Sequence, residues 1–242
     1  MNIEGKHVAI LGAGGSGFAA AALAISHGAI VSAYDSGDPS KLEAAAERFE
    51  TIGVELVCGS AALEVEKDFA LAVISPGIDA SRPIGQHFSQ CSEELIGEIE
   101  FAYRFCEAPV IAITGTNGKT TTTRLVTDKL VAAGLRVAED GNIGTPLSEV
   151  VQSGEKFDWI VLEVSSFQLE TIARFAPEIA VWMNFAPDHM DRYKTLEDYR
   201  SAKLRIFENL PATGLAVTKS EDELAVSPRV TFSAFSSEAD YV

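Results

Sequence analysis

The chain has 242 residues, 47% of them apolar and 22% charged, and a formal net charge of −16. These are globular proportions in a chain long enough for two domains, and the acidic balance argues against nucleic acid and anionic membrane surfaces as partners, because the long-range field repels polyanions. The three cysteines have no C-x-x-C spacing, there is no basic-then-apolar leader, and no apolar run reaches the ~18 residues of a membrane span, which together predict a reducing, cytoplasmic setting.

His7–Leu11 (HVAIL) predicts a short buried strand. Gly12-Ala13-Gly14-Gly15-Ser16-Gly17 follows, then an apolar helix over Phe18–His27 and a second strand over Ala29–Tyr34 that ends at Asp35. This satisfies G-x-G-x-x-G with an acid at the end of the next strand, the pattern of a dinucleotide site in which Asp35 would bind a ribose. The same geometry suits any diphosphate ligand, a UDP-sugar included, and glycines also serve helix–strand packing alone. The residues by themselves leave all three open. Pro39–Glu50 predicts a helix, and Val54–Val57 and Leu71–Ile74 predict strands. Ser75-Pro76-Gly77-Ile78 ends the latter in a turn, the place where open α/β sheets hold ligands. One or two helices are expected between Ser81 and Cys106, and Glu107-Ala108-Pro109 marks a domain boundary.

The strongest signal lies at Val110–Leu130. An apolar strand, Val110–Ile113, runs into Thr114-Gly115-Thr116-Asn117-Gly118-Lys119-Thr120-Thr121, and a helix begins with Leu125, Val126 and Leu130 facing a core. Strand, glycine turn, Lys-Thr and helix is how a chain builds a phosphate cradle: amides close on the anion and the helix N-terminus adds partial positive charge. Lys119 would supply a point charge and the Thr120 hydroxyl would ligate Mg²⁺. The loop is shorter than G-x-x-x-x-G-K-[ST], since position 113 is Ile. The plain alternative is an ordinary glycine-rich turn.

Further on, Leu135–Ala138 predicts a strand, Thr145 a helix cap with Pro146 at the first helical position, and Asn142 a turn residue or an anion contact. Phe157–Val164 predicts a buried strand with Glu163 near its end, where a carboxylate beside a phosphate loop holds Mg²⁺ or makes an edge salt bridge. After the strand Ile179–Met183, His189 lies among Asp188 and Asp191, as a ligand for metal or phosphate or as a satisfied structural residue. Thr195 and Asp198 resemble a capping box for a helix over Thr195–Leu210. Its apolar stripe is Leu196, Tyr199, Ile206, Phe207 and Leu210, with Lys203 in the middle and Glu197, Ser201, Arg205 and Glu208 opposite. On the residues alone Lys203 snorkels. The alternative is a desolvated amine that reacts with CO₂ to give a carbamate, an anionic metal ligand. Strands over Leu215–Thr218 and Val230–Phe232 close the chain. The alternation of strands and helices predicts parallel sheets.

Five strings together resemble the Mur ligase family: GTNGKTT (Gly115–Thr121), GNIGTP (Gly141–Pro146), EVSSFQLE (Glu163–Glu170), DHMDRY (Asp188–Tyr193) and YRSAKLRI (Tyr199–Ile206). The first is shared with folylpolyglutamate synthases, and SSFQL and DHMDRY point to the D-glutamate-adding branch. The resemblance implies a Rossmann-like N-terminal domain, 1–107, binding a UDP substrate, and a P-loop NTPase-like central domain, 108–242, binding ATP. A third, amino-acid-binding C-terminal domain is expected beyond Val242, so the chain is expected to be a fragment, monomeric, that binds but does not ligate. The implied activity is ATP-dependent amide formation between UDP-N-acetylmuramoyl-L-alanine and D-glutamate through an acyl phosphate. The resemblance implies Gly115, Thr116, Asn117, Gly118, Lys119, Thr120 and Thr121 as the ATP loop, and Thr120 and Glu163 on one Mg²⁺. It assigns His189 and carbamylated Lys203 to a second metal, and Asn142 and His189 to the substrate. Gly14, Gly15, Ser16, Asp35, Ser36 and Gly77 are implied for the UDP group. The family often carries an Arg after the position of Ser36, where this chain has Gly37. An NAD-dependent oxidoreductase and a folylpolyglutamate-type ligase are the competing expectations. The first leaves the second glycine loop unexplained, and the other leaves the first.

Overall fold

In the computed structural model, which describes residues 1–141 and 144–241, the chain divides into two units. The first comprises Met1–Cys106 with two later segments, Pro146–Gly154 and Thr171–Ala173. Strands β1 (His7–Leu11), β2 (Ile30–Asp35), β3 (Leu56–Cys58), β4 (Leu71–Ile74) and β5 (Leu95–Gly97) form a parallel sheet in the order β3-β2-β1-β4-β5. β1 and β4 are buried on both faces apart from His7, which is why they read as continuous apolar runs rather than alternating ones. Helix α1 (Gly15–Ser26) lies close on the sheet through small residues, Ala19 to Ala22 and Ala24. Its close approach fixes Gly17: a Cβ there would lie 2.0 Å from the Gly12 carbonyl oxygen.

Two expectations change here. The segment Pro39–Glu50 is a short 3-10 turn, Pro39–Lys41, and then α2 (Glu43–Glu50), because the Asp38 side chain accepts from Ser40 N and starts the turn separately. Between α3 (Pro83–Gln90) and α4 (Glu98–Tyr103) runs β5, a strand the sequence did not predict; three residues are too few for any periodicity.

The later segments join this unit through α4. Glu98 and Glu100 are buried there at 3% and 0% exposure. Glu98 accepts from Ser148 N at 2.7 Å, at the start of α6 (Leu147–Gln152). Glu100 accepts from Ala173 N at 2.9 Å and from Arg104 Nε at 2.7 Å, and Arg104 also holds Glu94. Thr145 is therefore not the cap of α6. Pro146 is the N-cap residue, it has no side-chain cap bond, and a carboxylate from another helix satisfies the Ser148 amide.

The second unit, Glu107–Thr145 with Glu155–Glu170 and Arg174–Val242, holds a six-stranded sheet. Its strands are β6 (Val110–Thr114), β7 (Val137–Gly141), β8 (Trp159–Glu163), β9 (Ile179–Trp182), β10 (Leu215–Lys219) and β11 (Arg229–Phe232), all parallel, in the order β11-β10-β9-β6-β8-β7. β6 pairs with β8 on one side and β9 on the other, so the loop after β6 emerges where neighbouring chain leaves in both directions. Helix α5 (Lys119–Ala132) covers the sheet with Thr123, Val126, Thr127 and Leu130. Leu125 is 56% exposed, contrary to its expected core position, because Thr123, Val126, Thr127 and Leu130, at i, i+3, i+4 and i+7, form the buried face and Leu125 falls on the opposite side of the helix. Both units thus have the parallel, helix-covered architecture predicted from the alternation. Among the described residues no helix is long and apolar enough to cross a membrane.

Burial pushes the Glu98 carboxyl above its ordinary value of 4.5. The folded chain then holds a proton that the unfolded chain has released, so this contribution is complete at low pH and is lost as pH rises through the folded value. Glu98→Gln keeps the acceptor for Ser148 N and is expected to be as stable as the parent or more so at pH 7. Glu98→Ala leaves a buried amide without its acceptor and should cost about 2 kcal/mol. Urea denaturation of both variants across pH measures the difference.

Candidate functional site

In the second unit the site is built on the peptides from Gly115 to Thr120. Gly115 is buried against β9: a Cβ there would lie 2.8 Å from Met183 Cβ. The chain beyond β9 runs alongside the loop. Met183 N donates to Thr114 O at 2.9 Å and Thr116 N donates to Asn184 O at 3.2 Å. Asn184 Oδ1 accepts from Thr116 N at 3.2 Å and Asn117 N at 2.9 Å, while Asn184 Nδ2 donates to Asn117 O at 2.9 Å. The Thr116 hydroxyl lies 3.1 Å from Ala186 O, accepts from Ala186 N at 3.0 Å, and is 3.4 Å from the Tyr199 hydroxyl. Gly118, in the left-handed region, turns the chain into α5.

Lys119 and Thr120 then converge on the end of β8. Thr120 Oγ1 donates to Glu163 Oε2 at 2.6 Å, and Lys119 Nζ lies 4.0 Å from Glu163 Oε1 and 3.2 Å from Thr116 O. Glu163 is 3% exposed. Asn117, Gly118, Thr120 and Thr121 are exposed. The first-turn amides of α5 have no carbonyl ahead of them within the helix, which leaves donors for an anion.

Helix α8 (Leu196–Leu204) carries Lys203 and does begin with the Thr195–Asp198 capping box. The helix ends earlier than predicted; Arg205–Phe207 is a 3-10 turn. Lys203 does not snorkel. It is 2% exposed, its Nζ donates to Gly115 O at 2.9 Å, and it lies 4.8 Å from the Tyr199 ring centroid. Burial, and then the charge of Lys119, push its pKa down from 10.5 to about 7, against the attraction of Asp188 and Glu163. Arg205, expected on the solvent face, instead donates to the Leu169 and Glu170 carbonyls at the end of α7 (Ser166–Leu169). Leu196, placed in the apolar stripe, is 41% exposed.

His189 has a left-handed backbone, φ 54°, and an exposed ring packed on Phe167 and Tyr199 at centroid distances of 4.9 and 5.9 Å. Its Nε2 is 3.6 Å from Asp188 Oδ2. Among the described residues no group of three or more His, Cys, Asp or Glu side chains is placed to hold a metal by itself. Thr120 and Glu163, by contrast, present adjacent oxygens, the hard donors Mg²⁺ takes before phosphate oxygens and water complete its shell. Asn142 lies outside the described residues.

In the first unit, the candidates gather at the C-terminal ends of β1, β2 and β4. Gly14, Gly15 and Ser16 open α1, whose N-cap has no side-chain bond. Gly77 and Ser36 are exposed in the turns after β4 and β2. Asp35 is differently occupied: Oδ2 accepts from Ala13 N and Oδ1 from Gly37 N, each at 2.8 Å. It holds the glycine loop in shape. A side chain at position 37 would bring a Cβ to 3.0 Å from Asp35 Oδ1, so Gly37 belongs to that clamp.

Sequence reasoning missed Asn184, which directly follows the predicted strand Ile179–Met183 but carries no motif of its own. It also missed that Ser165 and Gln168 form a capping box for α7, although S-x-x-Q is a readable signal.

Residues 113–240 match the model of the Mur ligase middle domain. Over 240 residues the chain is 41% identical to the UDP-N-acetylmuramoylalanine–D-glutamate ligase of Geobacter metallireducens, covering 97% of this chain and 52% of that one. Over 209 residues it is 44% identical to the ligase of the same name from Thermoanaerobacter pseudethanolicus, covering 86% and 46%. It thus spans about half the length of the curated relatives it matches. Among solved structures, the UDP-N-acetylmuramate:L-alanyl-gamma-D-glutamyl-meso-diaminopimelate ligase of Neisseria meningitides has the same fold, with a TM-score of 0.62 at 20% identity over 94% of this chain and 78% of that one. With a phosphate-loop geometry at Gly115–Thr120 and a family match across more than half its length, the chain belongs to the Mur ligase family.

Proposed function

We propose that the protein is an ATP-dependent ligase of the cytoplasm that joins D-glutamate to UDP-N-acetylmuramoyl-L-alanine in peptidoglycan precursor synthesis. In this reading 1–107 binds the UDP substrate and 108–242 binds ATP. The observation that carries it is the convergence of Lys119, Thr120 and Glu163 at the N-terminus of α5, in a chain whose relatives bear that ligase name.

The chemistry follows from the groups. A carboxylate does not react with an amine, so it is first phosphorylated by ATP; the amine of D-glutamate then attacks the acyl phosphate and phosphate leaves. The α5 amides and Lys119 hold the phosphates and offset charge on the phosphoryl group in transfer. Thr120 and Glu163 would hold Mg²⁺, which when bound supplies further neutralisation of that charge. The carbamate role of Lys203, implied by the resemblance, is supported by its burial: near neutral pH part of it is the free amine that CO₂ requires, and carbamylation forms the N–C bond with release of one proton. His189 and Asn142 are assigned to the substrate, with His189 also beside the second metal. The turns at Gly14, Gly15, Ser16, Ser36 and Gly77 are assigned to the UDP group, with Asp35 holding the loop they form.

Calorimetry of the chain with a non-hydrolysable ATP analogue and Mg²⁺, and separately with UDP-N-acetylmuramoyl-L-alanine, tests the two assignments. Lys119→Ala should weaken nucleotide binding by about a hundredfold and leave UDP-substrate binding unchanged. Thr120→Ala should remove most of the Mg²⁺ dependence of nucleotide affinity. Binding of the nucleotide that ignores both changes would reject the site.

Lys203 has a folded value below its unfolded 10.5. The unfolded chain therefore binds more protons between about pH 7 and pH 10.5, and stability rises with pH across that window. Lys203→Met should lack the rise and gain on the order of a few kcal/mol relative to the parent below pH 7. Chemical denaturation of both proteins at several pH values reads it, and parallel curves would show the ammonium is not desolvated.

A further inference from the structure

Two amides of the phosphate loop are already spent. Thr116 N and Asn117 N both point at Asn184 Oδ1, and Asn184 Nδ2 closes the ring onto Asn117 O. A phosphate loop is ordinarily read as a set of amides waiting for an anion. Here both are held by Asn184, just beyond the adjacent strand: Asn117 N by the neutral side chain, and Thr116 N by the side chain and the backbone carbonyl together, so they set the shape of the turn. The free donors are the first-turn amides of α5, which begins at Lys119. The bonds continue the pairing of β6 with β9, whose last register pair is Thr114 with Trp182. Past that point side chains join the backbone bonds: Thr116 N is shared between the carbonyl and the Oδ1 of Asn184, Asn117 N goes to Oδ1 alone, and the Thr116 hydroxyl binds Ala186 N.

We infer that Asn184 is a positioning residue for the nucleotide: its amide group fixes the Thr116–Asn117 turn before the anion arrives and leaves the phosphates to the α5 amides and Lys119. This rests on the reading of Gly115–Thr121 as the ATP loop. The chemistry of the side chain suits the task. An amide both accepts from two N–H groups and donates to a carbonyl, which neither a carboxylate nor a hydroxyl does in one plane. It also brings no negative charge towards the phosphates, as Asp would.

Amide exchange by NMR and nucleotide calorimetry on this chain test the inference together. In Asn184→Ala, the Asn117 amide should exchange about tenfold faster or more, with Thr116 N less affected because it keeps the Asn184 carbonyl, and affinity for the Mg²⁺ complex of the ATP analogue should fall about ten- to a hundredfold. UDP-N-acetylmuramoyl-L-alanine should bind as before. Asn184→Asp keeps the acceptor, so protection of both amides should persist while nucleotide affinity falls and becomes more sensitive to salt. Should Asn184→Ala unfold the unit, Asn184→Asp carries the test, since a role in stability alone would not separate amide protection from nucleotide affinity. Unchanged exchange in Asn184→Ala, or altered exchange with unchanged nucleotide affinity, overturns the inference. Failure of the unsubstituted chain to bind the nucleotide overturns the ATP-loop reading instead, and the exchange measurement still judges whether Asn184 holds the turn.

Discussion

The arrangement of the site in the second unit turns on one buried hydrogen bond, from Lys203 Nζ to the carbonyl of Gly115. Taking a lysine charge out of water is costly, and a single carbonyl offsets it only in part. Two consequences follow from that imbalance. The amine ties α8 to the β6–α5 turn, with the Tyr199 hydroxyl one helical turn earlier adding a second contact at Thr116. The remaining cost appears as a pKa lowered to about 7. The same burial therefore anchors the loop and leaves an amine partly neutral at physiological pH.

The two units solve the same problem with different side chains. Each places a glycine turn after a central parallel strand and fixes it with an oxygen borrowed from the end of a neighbouring strand. In the first unit the oxygen belongs to Asp35, which takes the amides of Ala13 and Gly37. In the second it belongs to Asn184, which takes those of Thr116 and Asn117. Adjacent strands lie about 4.8 Å apart, so a short side chain spans the gap and a longer one would have to fold back. The carboxylate serves where it meets two backbone N–H donors, which favour its negative charge. The neutral amide serves where Glu163 already brings negative charge to the site. Glu98 and Glu100 do comparable work on α4, where buried carboxylates collect the amides of Ser148 and Ala173 from distant stretches of chain.

The fold was largely legible because its signals are local. Continuous apolar runs such as Val110–Ile113 and Leu71–Ile74 read as strands buried on both faces, and the glycine turns that follow β1 and β6 announced their loops. What was misread was mostly short or borderline. β5 has too few residues to show a period, and Leu125 was placed inward although Val126 holds that face. The candidate site was legible residue by residue at Lys119, Thr120 and Glu163, since the order Gly-Lys-Thr before a helix and an acid at the end of a strand each carry a mechanism.

The sequence by itself determined the two parallel α/β units and the glycine turn ahead of α5, because each depends on spacing along a few consecutive residues, and the family through the likeness of five strings spread along the chain. Only the tertiary structure decided the state of Lys203, the partners of Asp35 and Asn184, and the capping of α6 by Glu98. A lysine on an apolar stripe is wet or dry according to what packs against it, and that partner, Gly115, lies far away along the chain. An Asn or Asp near a strand end binds ligand or backbone according to which strand lies beside it, and strand order is a property of the folded sheet alone.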